Sequence, residues 1–247
     1  MLATFLIRKI FLLMSLVISV FFQGNNNHVI KDKKVLIFSK TNGFRHDCIP
    51  VGIEAIKKLG TENHFTADAT EDSTLLSDAN LGNYNEIIFF NTTGTILGAD
   101  QEKALQNFIH KGGGFVGVHS ATDCEYQWPW YVKLIGGNFE SHPKQQQAKL
   151  LVVNKNHPST KHLPDTWERF DEWYNFKNLN PDVTVLIKID ETSYTGGKNG
   201  DNHPMAWYHE YEGGKVFYTE LGHTKESYSD PVYLQHLLGG IQYAMGK

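Results

Sequence analysis

Cysteine is nearly absent: the 247-residue chain has two, Cys48 and Cys124, 76 positions apart. One disulfide would be allowed in an oxidising compartment, but the spacing has no framework pattern and lacks the paired cysteines of a zinc ribbon. Two free, partly buried thiols are the favoured reading. Long runs of Lys or Arg are missing as well, and the formal net charge is −4. Phosphate neutralisation needs a basic footprint, so a nucleic-acid partner is excluded. There is no internal repeat, and no low-complexity tract beyond Gln145 to Gln147. No H-E-x-x-H spacing is present, so a metal site would have to be assembled from distant loops. What the chain does have is 40% hydrophobic and 13% aromatic residues, enough to bury a core and exclude disorder. These limits describe a globular protein that handles a small polar molecule.

The start of the chain bears on the compartment. Arg8 and Lys9 precede an uncharged, largely apolar run from Ile10 to Phe22. Its 13 residues match a signal peptide and fall short of the ~18–20 that span a bilayer. Residues 1–27 therefore read as a signal peptide or, because Phe21, Phe22 and Gln23 make a poor cleavage site, as an N-terminal anchor. Residues 28–247 read as one domain. The expectation is an exported protein, periplasmic or anchored facing the periplasm, which meets the membrane only through an uncleaved leader. Without Arg8 and Lys9 the charge becomes −6.

From Lys34 the pattern alternates strand with helix. KVLIFS (34–39) is followed by a Gly-containing loop and a helical stretch near 49–59 closing at Gly60. A weak strand at 64–67 and a continuous apolar run, EIIFFN (86–91), come next. A helix capped by Asp100 then carries Leu105, Phe108 and Ile109 on one face and stops at Gly112 to Gly114. FVGVH (115–119) is the fourth strand. This alternation predicts an α/β fold with a doubly wound, mostly parallel, flavodoxin-like sheet, its ligands lying beyond the carboxyl ends of the strands. The second half adds strand-like runs at 148–153, 170–176, 183–189, 205–211 and 215–221, and a closing helix from Pro231 to Met245. No polar linker separates the halves, so the extra strands elaborate the same domain.

Several of the 12 histidines fall where strands are expected to end. His46 lies in the loop after the first strand, His119 ends the fourth, and His223 follows KVFYTELG; His142 and His203 sit in loops. Imidazole at such a rim ligates a divalent ion, acts as general acid or base, or is simply a hydrogen-bonded loop residue. For His119 the chemical reading is preferred, because an ionisable group closes a buried strand between GGGFVG and the small polar run Ser120, Ala121, Thr122. Asp123, Glu140, Asp171, Glu172 and Glu220 stand near the same edges and offer partners that fix an imidazole tautomer. Asp171 and Glu172 read equally well as a solvated strand end. Trp128, Trp130 and Tyr131, then Trp173 and Tyr174, then Trp207, Tyr208 and His209 form three aromatic groups mixed with polar atoms. Flat aromatics beside polar groups suit sugars, and core packing is the competing use.

The segments TNGFRHD, GGGFVGVHSATD, WPWYVKLIGGNFESHP, HPSTKHLP, DEWYNF, HPMAWYHEY and FYTELGHTKESYSDP together resemble the trehalose-utilization (ThuA-like) family, from about Lys34 to Gly246. The resemblance implies a class I glutamine amidotransferase-like fold and a part in sugar catabolism, where some members process oxidised (3-keto) glycosides. It also shows what is missing. Where the amidotransferases carry a Cys nucleophile, this chain reads Gly117, Val118, His119, Ser120, Ala121, and their His-Pro-Glu run corresponds to Thr219, Glu220, Leu221. The Cys-His-Glu triad is therefore absent, Ser120 has no positioned base beside it in sequence, and glutamine amidotransferase activity is not expected.

The resulting expectation is an enzyme that hydrolyses or eliminates a glycoside or 3-keto-glycoside, assisted by a divalent metal, Zn or Mn. Its metal ligands would be His46, His119, His142 and His223, and its catalytic groups His119, His223, Glu172 and Asp123. Arg45, His46, Trp128, Trp173 and His203 would bind substrate. The alternative is a non-catalytic sugar-binding or accessory module on the same fold.

Overall fold

Four strands of the first half run parallel: β1 (Lys33–Phe38), β2 (Phe65–Thr70), β3 (Glu86–Phe90) and β4 (Gly114–Val118), in the order β2-β1-β3-β4. Every residue of β3 and β4 is buried, as a strand covered on both faces requires. Between them come α1 (Ile49–Glu62), the short α2 (Asp78–Leu81) and α3 (Ala99–His110). The computed structural model describes residues 33–246; the leader expected at 1–27 lies outside them.

The second half supplies α4 (Pro129–Ile135), β5 (Asn138–Ser141), β6 (Gln146–Val152), β7 (Thr166–Asp171), β8 (Asn175–Lys177), β9 (Thr184–Ile189), β10 (Pro204–Tyr211), β11 (Gly214–Thr219) and α5 (Pro231–Ala244). Among the described residues the main sheet has nine strands in the order β2-β1-β3-β4-β11-β10-β9-β6-β7, and β5 pairs with β8 separately. β11 is parallel to β4, and every step beyond it is antiparallel. The sheet is thus parallel in one half and antiparallel in the other. Helix α5 packs on β11 and β4. No helix among the described residues is long and apolar enough to cross a membrane.

Three sequence expectations shift. Helix α3 starts at Ala99 with Gly98 as its N-cap, so Asp100 lies inside the first turn, where its carboxylate faces the positive end of the helix. Helix α1 runs past Gly60 to Glu62. The expected strand 170–176 breaks at Glu172–Tyr174. Burial alternates along β7 up to Asp171, as a pleat with one covered face requires, and then Glu172 to Phe176 are all buried.

Parallel strands bring their carboxyl ends to one edge. There the loops after β1 and β3 touch through a Thr41–Thr93 bridge, and those after β3 and β4 through Gly94–Cys124. Four antiparallel steps return β7 to the direction of β11, so β7 also ends at this edge.

Candidate functional site

His119 is the first residue after β4 and has φ of +49°. A left-handed backbone costs a residue with a side chain roughly 1–2 kcal/mol, so it persists only where the surroundings hold it. Here the His119 carbonyl accepts from the Tyr218 hydroxyl at 2.7 Å, and the ring Nδ1 donates to the Glu220 carbonyl at 2.7 Å. That bond fixes the tautomer and leaves the Nε2 lone pair free for another partner.

Three further side chains meet it. His46 comes from the loop after β1, Glu172 from the end of β7 and His223 from the loop after β11. One donor atom from each of the four lies within 4.8 Å of the others. His119 Nε2 is 3.1 Å from His223 Nδ1 and 3.4 Å from Glu172 Oε2, and His223 Nδ1 is 3.1 Å from that same oxygen. The His46 ring stands edge-on to His119 and His223, with centroids 4.8 and 5.0 Å away, and its Nδ1 is 3.4 Å from Ser120 Oγ.

The donor set fits a divalent cation. Ligand bonds of about 2.0–2.1 Å in a tetrahedron put donors roughly 3.3 Å apart, close to the spacing of this triangle. His119 Nε2 has no proton when Nδ1 donates, and an ionised Glu172 is acceptor-only, so a single proton on His223 would have to serve all three atoms. Charge agrees with this reading. Burial, reinforced by the neighbouring His119 and His223, drives the His46 pKa down to about 2, keeping its ring neutral. Burial would raise the Glu172 carboxyl, but the imidazoles of His119 and His223 beside it outweigh burial and hold the group well below the usual carboxylate range. Burial works against charge on His223, yet its bond to Glu172 raises its pKa. The pair thus shares a proton that an ion would displace.

The cluster opens into a cavity of about 370 Å³ lined by Phe44, His46, Asp123, Phe139, His142, Gln145, Glu172, Tyr174 and His223. His142 sits on the rim with Nδ1 3.2 Å from Glu172 Oε1, so the fourth member of the donor group is Glu172, where the sequence suggested His142. Asp123 is on the wall, accepting from the Tyr126 hydroxyl at 2.6 Å; burial raises its pKa against that bond.

The expected sugar contacts other than His46 fall elsewhere. Trp173 is fully buried, with its Nε1 donating to the Gln146 carbonyl. Both ring nitrogens of buried His203 are used, one on Glu191 and one on the Tyr174 carbonyl. Trp128 stacks on Trp130 and Tyr131 outside the lining, and Arg45 pairs with Glu71 at the surface. The aromatic lining comes instead from Phe44, Phe139 and Tyr174. Gln145, whose amide lies 2.7 Å from His223 Nε2, read in the sequence only as part of a polar run. Phe44, 66% exposed, was not singled out in the sequence; its only signal there was its place two positions before His46 in the same loop.

Comparison with known proteins agrees with this architecture. Among solved structures, a ThuA-like protein of Bacteroides uniformis is 26% identical, with a TM-score of 0.72 over 86% of this chain and 91% of its own. One from Parabacteroides merdae is 19% identical at the same TM-score, over 87% and 91%. A GMP synthase protein of Thermoplasma acidophilum, 12% identical with a TM-score of 0.50 over 87% and 98%, shares the fold alone. No curated protein matches the sequence. The family model described as trehalose utilisation matches residues 34–244. With nearly all of the described residues inside that match, the chain belongs to the ThuA family and its role is carbohydrate-related.

Proposed function

We propose that this chain is a divalent-metal-dependent enzyme of carbohydrate breakdown, exported to the periplasm, which cleaves a glycoside or 3-keto-glycoside by hydrolysis or elimination. The observation that carries it is the group of three imidazoles and one carboxylate with donor atoms within 4.8 Å, of which His46, Glu172 and His223 line a cavity with aromatic sides while His119 is fully buried. His46, His119, Glu172 and His223 would hold a Zn or Mn ion, which would supply Lewis acidity. The chain's own residues do the rest. Phe44, Phe139 and Tyr174 offer apolar faces to the C–H side of a pyranose. A keto group acidifies the adjacent C–H, and Asp123, with its raised pKa, is the wall carboxylate suited to take that proton. His142, half exposed on the rim, stands between Glu172 and solvent.

The test is metal analysis of the purified protein together with assays on 3-keto-disaccharides, before and after chelation. We expect one ion per chain, turnover lost with the ion and restored by adding it back, and at least a ~100-fold loss in His119→Ala, beyond what supporting residues cost. Turnover unaffected by chelation removes the metal. Sugar binding without turnover under every metal condition makes the protein a sugar-binding module.

A further inference from the structure

Two of the four donors, Glu172 and His223, belong to segments 51 positions apart in the sequence. Between these segments stands Asp171, the last residue of β7 and fully buried. Its Oδ1 accepts the backbone N–H of Glu172 at 3.1 Å and of His223 at 3.2 Å. Its Oδ2 accepts the N–H of Gly222 at 3.1 Å and lies 3.5 Å from both Ser227 Oγ and Arg169 Nη2. Arg169 is itself fixed: its guanidinium lies 4.9 Å from the Trp167 ring and 5.0 Å from Tyr233, and donates to Asp230 and Ser227 at 2.7 Å each.

We propose that Asp171 is a positioning residue, a buried carboxylate that sets the relative placement of Glu172 and His223 by gripping the backbone of both before any ion arrives. The inference rests on reading the cluster as a metal centre. A carboxylate is suited to the task because each oxygen accepts more than one hydrogen bond and neither carries a hydrogen that would oppose an N–H. Charge-assisted bonds to backbone amides are also shorter and stronger than neutral ones. An asparagine has the same shape but turns one of the two oxygens into a donor. Either Gly222 or the Glu172 and His223 pair then meets an N–H with an N–H, and the loop after β11 must move relative to β7.

The test is Asp171→Asn titrated with Co²⁺, whose visible absorption reports ligand geometry. We expect a Kd weaker by about 10- to 100-fold, the range for groups that orient metal ligands, and a changed Co²⁺ spectrum, with cooperative unfolding retained. A variant that folds and binds Co²⁺ with wild-type affinity and spectrum overturns the proposal. Should the variant not fold, amide exchange in metal-free wild-type protein decides. The amides of Glu172, Gly222 and His223 should exchange at least tenfold more slowly than unbonded loop amides, and free exchange overturns the clamp. Wild-type protein that takes up no Co²⁺ sinks the metal reading instead, and leaves the clamp to the same exchange measurement.

Discussion

Glu86 is the residue whose environment departs furthest from its chemistry. It opens β3 between β1 and β4, is fully buried, and has no hydrogen-bond partner for either carboxylate oxygen. Burial raises its pKa well above the ordinary 4.5, against a weak pull from Lys33. The folded protein therefore keeps the proton while the unfolded chain releases it above about 4.5. In that window the unfolded state binds fewer protons, so stability is complete at low pH and falls as pH rises towards the folded pKa. Glu86→Gln removes this contribution. Urea unfolding of both proteins from pH 4 to pH 8 should show their stabilities diverging in favour of the variant, by up to about 1.4 kcal/mol per pH unit. Parallel profiles would mean that the carboxylate ionises inside the fold.

Helix α5 makes the corresponding argument for an element. Its sequence, PVYLQHLLGGIQYA, places two glycines mid-helix, where each costs about 1 kcal/mol relative to alanine. Close approach accounts for them. A Cβ on Gly239 would lie 2.4 Å from the Pro158 carbonyl carbon and the Ser159 nitrogen, and one on Gly240 would lie 2.1 Å from the Phe217 ring. At Gly239 the obstacle is backbone and cannot swing aside, so Gly239→Ala should destabilise by about 1–3 kcal/mol in urea melts in spite of its better helix propensity. A stabilised variant would show that the helix can shift off the 158–159 segment. Packing of this kind also explains what the sequence could show. β1, β3 and β4 are legible because their continuous apolar runs have one use, and α1 and α3 because their apolar positions recur at helical spacing. The break after β7 is not legible. FDEWYNF looks like one strand until Asp171 is seen gripping amides some fifty positions away, an interaction that leaves no local trace. His119 was legible for the opposite reason, since an ionisable residue closing a buried strand has no packing use. Glu172 as the fourth donor, and the Phe44, Phe139 and Tyr174 walls, depend on how β7 and the β5–β8 pair meet the end of the parallel half, which periodicity does not encode.

At the scale of the whole molecule, the four donors bind distant parts of the chain to one point. They follow β1, β4, β7 and β11, strands spread from the parallel half of the sheet to its antiparallel edge. An unfolded chain holds these groups dozens of residues apart and offers no comparable site, so an ion that binds the folded state must stabilise all of it. At a free ion concentration of 100 times Kd the gain is about 2.7 kcal/mol. For a domain of this size each kcal/mol moves Tm by roughly 2–4 °C, which gives an expected rise of about 5–11 °C. Thermal unfolding with added Zn²⁺ or Mn²⁺, then with chelator, should show the rise and its reversal in wild-type protein, while His119→Ala shows neither. The same rise in the variant would place the ion elsewhere, because removing Nε2 takes away the donor common to two of the three shortest distances in the cluster.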